Sequence, residues 1–233
     1  MPYNISVVKG RSYCPSCNKQ IRWFDNIPLL SFIFLKAKCR HCSAQIDLNY
    51  FLVELISALN FVLIFYLFGF SLTTILFFIL SICFIIIIFI DMKHFIIPNE
   101  LTFTLMVIGF IKSFDPYLNQ YLFPNYLDSL IGGVIGYSII WFIIFAYKKL
   151  RNKEGMGLGD AKLLSAIGFW FGWVSVPLII FFSSLIALAF VSPTLINRTK
   201  NLSTQIPFGP YLIIGTIIFI IFGNQIKLLL FNY

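Results

Sequence analysis

From residue 51 onward, long uncharged apolar runs alternate with short polar stretches, and the run lengths set the predicted architecture. About 20 apolar residues suffice for one helix to cross a bilayer. Leu55–Phe70 reads as a first span with Glu54 at its entrance, and Leu72–Ile90 as a second, uncharged across 19 residues. Asp91 follows at once, and Pro98 then breaks any continuing helix. Leu101–Ile111 offers only 11 uncharged residues, which predicts a short, tilted or partly re-entrant span. Residues 129–147 form a fourth span, closed by the basic "KKLRNK". The 35 uncharged residues from Leu163 to Asn197 exceed one span, and they divide near "GWVSVP" into a fifth and a sixth. Phe208–Phe222, behind "PFGPY", is the seventh.

The pattern therefore predicts an all-α polytopic membrane domain over residues 51–233, with about seven transmembrane helices. Residues 1–50 break the pattern. They are polar, rich in Lys, Arg and Cys, and predict a separate small module; no cleavable signal peptide is visible in them.

Composition agrees, since charged residues make up 11% of the 233, against about 25% in soluble domains. The net charge of +8 raises nucleic acid as a partner, but the positions of the basic residues argue for the bilayer instead. With the N-terminal module in the cytoplasm and the sides alternating, 15 of the 17 Lys and Arg residues fall inside. Lys112 and Lys227 are the two outside. That asymmetry is the positive-inside rule, and no nucleic-acid partner is expected.

The same count brings two acids to one level. Asp91 ends the second span and Asp160 begins the fifth, both at the cytoplasmic face. A carboxylate near hydrocarbon is costly and marks a functional candidate. Two held close cannot both ionise, so one can act as base on a water while the other polarises a carbonyl. That is the chemistry of an aspartic peptidase. The glycines of "GMGLGD", Gly157 and Gly159 among them, let backbone approach a bound peptide closely. Helix-end dipoles assign Asp160 the ionised role and Asp91 the protonated one. Plainer readings stand beside this. Asp91 can be a water-facing acid next to Lys93, and Asp160 a helix cap or a partner for Lys162.

"YCPSCNKQI" and "KCRHCSAQI" place Cys14, Cys17, Cys39 and Cys42 in two Cys-x-x-Cys pairs. Two such turns complete a tetrahedral four-thiolate zinc site; redox cysteines or idle thiols are the alternatives. With all four ligands Cys, the metal is structural. Cys83 reads as packing, His41 as a bystander and His94 as an interfacial residue.

Together, "RSYCPSCNKQIRWFDNIPLLSFIFLKAKCRHC", "FLVELI", "IDMKHFIIPNELT", "GMGLGDAKLLSAIGFWFG" and "PFGPYL" resemble the prepilin peptidase (type IV leader peptidase) family of GxGD-type membrane aspartic proteases. The resemblance implies that Asp91 and Asp160 are the catalytic pair, supported by Gly157, Gly159 and Lys162. It implies cleavage of the leader of type IV prepilin or pseudopilin precursors at the cytoplasmic face of a bacterial inner membrane. Pilus assembly, protein secretion and competence are the processes it serves. In many members methylation of the new N-terminus follows, with S-adenosylmethionine as donor. Family members usually carry a further span ahead of the cysteines, and "MPYNISVVKGR" holds no apolar run of that kind. Two other classes remain at this point: a prepilin-binding assembly factor without catalysis, and a cation transporter using the paired aspartates.

Overall fold

The computed structural model describes residues 12–115, 118, 123–151, 157–196 and 206–231. The segment "MPYNISVVKGR", Gly155 of the glycine motif, and the basic residues Lys153, Arg198 and Lys200 lie outside the described residues. The chain falls into two compact units, Met1–Phe78 and Ile79–Tyr233.

The first unit opens with two copies of one turn. Tyr13 bridges Gln20, and Lys38 bridges Gln45, each pair flanking a Cys-x-x-Cys. In both copies the first cysteine's N–H donates five residues ahead, Cys14 to Lys19 at 3.0 Å and Cys39 to Ala44 at 2.8 Å. Asn18 and Ser43 take the positive φ values, 52° and 56°, that close these turns. Between the copies lie a 3-10 turn, Trp23–Asn26, and a short helix α1, Leu30–Phe34. Helix α2, Leu48–Phe68, starts where Asp47 accepts the Asn49 N–H at 2.9 Å. It ends at Gly69, whose φ of 57° suits glycine. The stacked pair Phe68–Phe77 then ties α2 to the beginning of α3, Leu72–His94.

The second unit is a helical assembly around α6, Leu158–Phe171, which touches α4 (Asn99–Lys112), α5 (Tyr126–Arg151), α7 (Ser175–Ile196) and α8 (Gly209–Phe231). Helix α6 is buried nearly all round: Leu163, Leu164, Ala166 and Trp170 are fully inaccessible. Glycine makes this approach feasible. A Cβ on Gly132 of α5 would sit 2.5 Å from the Gly168 carbonyl of α6, so the two backbones are in direct contact.

Polar side chains stitch the same helices together. Ser165 Oγ donates to the Gly133 carbonyl at 2.8 Å, Ser129 Oγ to Phe169 at 2.7 Å, and Trp170 Nε1 to Leu105 at 2.8 Å. Gly172, at φ 80°, ends α6 and starts the turn into α7. This is the division expected near "GWVSVP".

Among the described residues, seven helices, α2 to α8, thus stand where seven spans are expected. Four are long and apolar enough to cross a membrane: Leu48–Phe68, Leu72–His94, Tyr126–Leu150 and Ser175–Ser192. Gly209–Gly223 is a shorter apolar helix. The α4 and α6 helices have 14 residues each, or about 21 Å of rise, less than the roughly 30 Å hydrocarbon thickness. Their C-terminal residues, Lys112 and Phe171, are buried in protein, where short helices are tolerated inside a membrane. Two sequence boundaries shift. Helix α3 continues through Asp91 to His94, and α6 begins at Leu158, so each aspartate lies inside a terminal helical turn.

Lys112, counted among the two basic residues outside, ends α4 as a buried side chain. It is 4% exposed. Its Nζ donates to the Trp170 carbonyl at 2.8 Å and lies 3.6 Å from the Phe123 ring centre. At the end of α4 this Nζ satisfies a carbonyl in the last turn of α6, a group that helix geometry leaves unpaired.

Candidate active site and metal centre

Asp91 and Asp160 arrive from opposite chain directions. Asp91 is in the last turn of α3 and Asp160 in the first turn of α6, behind the N-cap Gly157 at φ −84° and ψ 148°. They are 4% and 7% exposed, and each lies within Coulombic reach of the other. Asp91 is therefore not a water-facing acid beside Lys93. Lys162 does not serve as the ion-pair partner of Asp160 either. Its Nζ donates to Asn99 Oδ1 at 2.7 Å, tying the N-terminal part of α6 to the first residue of α4.

Ile97, from the extended segment that links α3 to α4, packs against Gly159 of α6 and Gly209 of α8. A Cβ on Gly159 would meet Ile97 Cβ at 3.0 Å, and one on Gly209 would meet Ile97 Cδ1 at 3.1 Å. Glycine at both positions lets α6 and α8 close on this side chain. Gly157 has ordinary room, with Asp160 Oδ2 3.7 Å from its Cβ position. Its contribution is the extended backbone before the helix rather than close packing.

Gly209 is the site residue that sequence reasoning missed. Its N–H, at the first position of α8, donates to Asp91 Oδ2 at 3.0 Å in a buried contact. A Cβ there would sit 2.7 Å from the same oxygen. The signal lay in "PFGPYL", a glycine between prolines at the mouth of an apolar run, but its partner is 118 positions away. With an α8 N-terminus against Asp91 and the α6 N-terminus behind Asp160, helix-end dipoles no longer separate the two acids.

In the first unit Cys14, Cys17, Cys39 and Cys42 converge, with all four Sγ atoms within 4.8 Å of one another. The Cys14 and Cys42 sulfurs are 3.8 Å apart. A tetrahedral metal with bonds of about 2.3 Å to sulfur sets its ligands about 3.8 Å apart. The cluster has the dimensions to hold a metal. Its electrostatics favour one as well. The backbone N–H groups of Cys17 and Ser16 bring the Cys14 thiol down to about 6, and those of Cys42 and His41 lower Cys39. Opposing a lowering by the Ala44 N–H, burial and the neighbouring thiols push Cys42 up to about 11. N–H groups aimed at clustered sulfurs suit thiolates, and a bound cation removes the repulsion among them. Among the described residues this metal-capable group consists of the four cysteines, without His41. Cys83 is buried in α3, as expected of a packing residue.

The fold and the two sites define a class: a multi-pass helical membrane protein with paired buried carboxyls and a four-cysteine module. A family model described as the type IV leader peptidase family matches residues 77–192, and one described as the bacterial peptidase A24 N-terminal domain matches residues 1–68. A prepilin leader peptidase/N-methyltransferase of Aeromonas salmonicida (strain A449) is 38% identical over 231 residues, covering 96% of this chain and 75% of the relative. That of Pseudomonas aeruginosa is 38% identical over 225 residues, with coverage of 96% and 75%. The Neisseria gonorrhoeae protein of the same name is 35% identical over 215 residues, with coverage of 92% and 72%. No solved structure gives a significant match. The chain belongs to the type IV leader peptidase family.

Proposed function

We propose that this chain is a membrane aspartic endopeptidase that removes the leader of type IV prepilin-like precursors, with Asp91 and Asp160 as the catalytic pair. The observation that carries this reading is the burial of the two carboxyls in terminal turns of α3 and α6, near enough for the charge of Asp91 to act on Asp160, with the Gly209 N–H donating to Asp91. The relatives' names supply the substrate class.

The chemistry follows from a dyad that holds one proton. One carboxylate takes a proton from water as the water oxygen attacks the scissile carbonyl carbon. The protonated partner gives its proton to the carbonyl oxygen. When the tetrahedral intermediate collapses, the C–N bond breaks and the first carboxyl protonates the leaving nitrogen. The hydroxyl proton returns to the second, and the pair again holds one proton.

The module of residues 1–50 is cytoplasmic in this account, and the active site opens on the same face of a bacterial inner membrane. The positive-inside count supports that orientation. Cys14, Cys17, Cys39 and Cys42 would hold a structural zinc ion, which supplies a rigid cross-link to a module with little core of its own. Methylation of the new N-terminus, with S-adenosylmethionine as donor, extends the proposal by analogy with the relatives' names. Incubating the purified chain in liposomes with a prepilin tests both steps. Mass spectrometry should find the shortened pilin, and a further 14 Da (roughly one methylene) when the donor is added.

A further inference from the structure

The cysteine module presents an apolar face that the catalytic account leaves without a role. Trp23 is 81% exposed and Phe34 is 80% exposed, and Ile27, Leu30 and Ile33 are exposed with them. Together they line the 3-10 turn and α1, between the two cysteine turns. Isolated exposed apolar residues are ordinary, but a cluster of this kind marks a contact surface.

Its position identifies the partner. The Leu29 N–H donates to Glu54 Oε2 at 2.8 Å, and the Phe32 and Phe51 rings stack at 4.9 Å. Leu29 takes a φ of 61°, a conformation rare for leucine, in the residue that makes the Glu54 contact. Phe51 and Glu54 lie in the first two turns of α2, and Glu54 is the last charge before the uncharged run of that span. The α1 segment is thus fixed to α2 at the level where the chain enters hydrocarbon. Basic side chains frame it: Lys19, Arg22, Lys36, Lys38 and Arg40, against the acids Asp25 and Asp47, over residues 12–47. Arg40 engages Asp25 through a 2.6 Å ion pair and, with Arg22, lies over the Phe24 ring. Tryptophan at a membrane boundary, an apolar face and a basic surround are the features of a segment lying in the bilayer interface.

We infer that Trp23–Phe34 is an interfacial membrane anchor: its apolar side chains enter the headgroup–acyl boundary of an anionic bilayer and hold the cysteine module against the membrane. This role is separate from peptide cleavage and does not rest on the catalytic assignment.

The full chain, carrying the photo-crosslinker p-benzoylphenylalanine in place of Trp23, Phe34 or exposed Lys19, tests the inference in phosphatidylethanolamine/phosphatidylglycerol vesicles with a prepilin peptide present. The expected result is lipid adducts at the first two positions, at least fivefold above those at Lys19. Adducts to prepilin or to a second copy of the chain instead, or equal lipid yields at all three positions, overturn it. Chain labelled with 5-fluorotryptophan avoids dependence on folding of the substituted chains, with Trp23→Phe used only to assign the signal. The Trp23 fluorine resonance should broaden with doxyl-labelled lipid and be spared by a water-soluble gadolinium chelate. The reverse pattern overturns the anchor.

Discussion

Adding one methyl group at Gly209 displaces Asp91 while removing no titratable group. The new Cβ would lie 2.7 Å from Asp91 Oδ2, whereas side-chain carbons are not found closer than 3.0 Å and rest comfortably at 3.4 Å or beyond. The carboxylate must therefore retreat by about 0.3–0.7 Å, the difference between those distances. A displacement of about 1 Å at a reacting group costs roughly 100-fold in rate, so half of that predicts a loss of about tenfold, or roughly 1.4 kcal/mol of barrier. The clashing atom is the end of a side chain, so the fold can accommodate Gly209→Ala. The decisive assay is steady-state cleavage of a prepilin in detergent micelles, alongside thermal unfolding. The expected outcome is kcat reduced about tenfold, KM nearly unchanged and an unfolding midpoint close to the parent's. A rate within twofold of the parent's refutes the assignment of the Gly209 contact to the site. A pure KM effect refutes it equally, because the displaced group would then bind substrate rather than act on it.

Gly168→Ala should behave oppositely, since its Cβ meets the Gly132 carbonyl, with that carbonyl's carbon at 2.5 Å and neither backbone able to yield. Forcing α5 from α6 should destabilise the chain by roughly 1–3 kcal/mol, read as a lower unfolding midpoint together with lost cleavage. Lys112→Met keeps most of the side-chain volume but removes the donor from the Trp170 carbonyl. The expected cost is about 1–3 kcal/mol, visible in the same unfolding measurement. Cys39→Ser leaves three of the four converging thiols. The bound zinc measured by atomic emission should fall from about one per chain to well below half, while Cys83→Ser leaves it unchanged.

Much of this architecture was legible because membrane proteins write their constraints in long runs. Uncharged stretches gave the helices, and the likeness of "CPSCNKQI" to "CRHCSAQI" matches two turns with the same bridge and hydrogen-bond pattern. Asp91 and Asp160 stood out because a charge beside hydrocarbon needs a reason. What the pattern could not carry was contact between distant backbone groups. Gly209 acts through its N–H, which every non-proline residue has, so its residue type signals only that space is short. The Lys112 contact was hidden for a related reason: its acceptor, the Trp170 carbonyl, is 58 positions away. The lengths of α4 and α6 were blurred as well. Hydropathy reports apolar surroundings and does not distinguish lipid from the neighbouring helices that enclose α6.

The central claim is that Asp91 and Asp160 together cut the peptide bond. Its most direct test is cleavage of a prepilin by the chain in liposomes, beside Asp91→Asn and Asp160→Asn, each shown by its unfolding midpoint to be folded. The account predicts a shortened pilin from the parent chain and a loss of at least about 10³-fold in either variant, since neither half of a proton-sharing pair works alone. Cleavage at near-parental rate by either folded variant contradicts it.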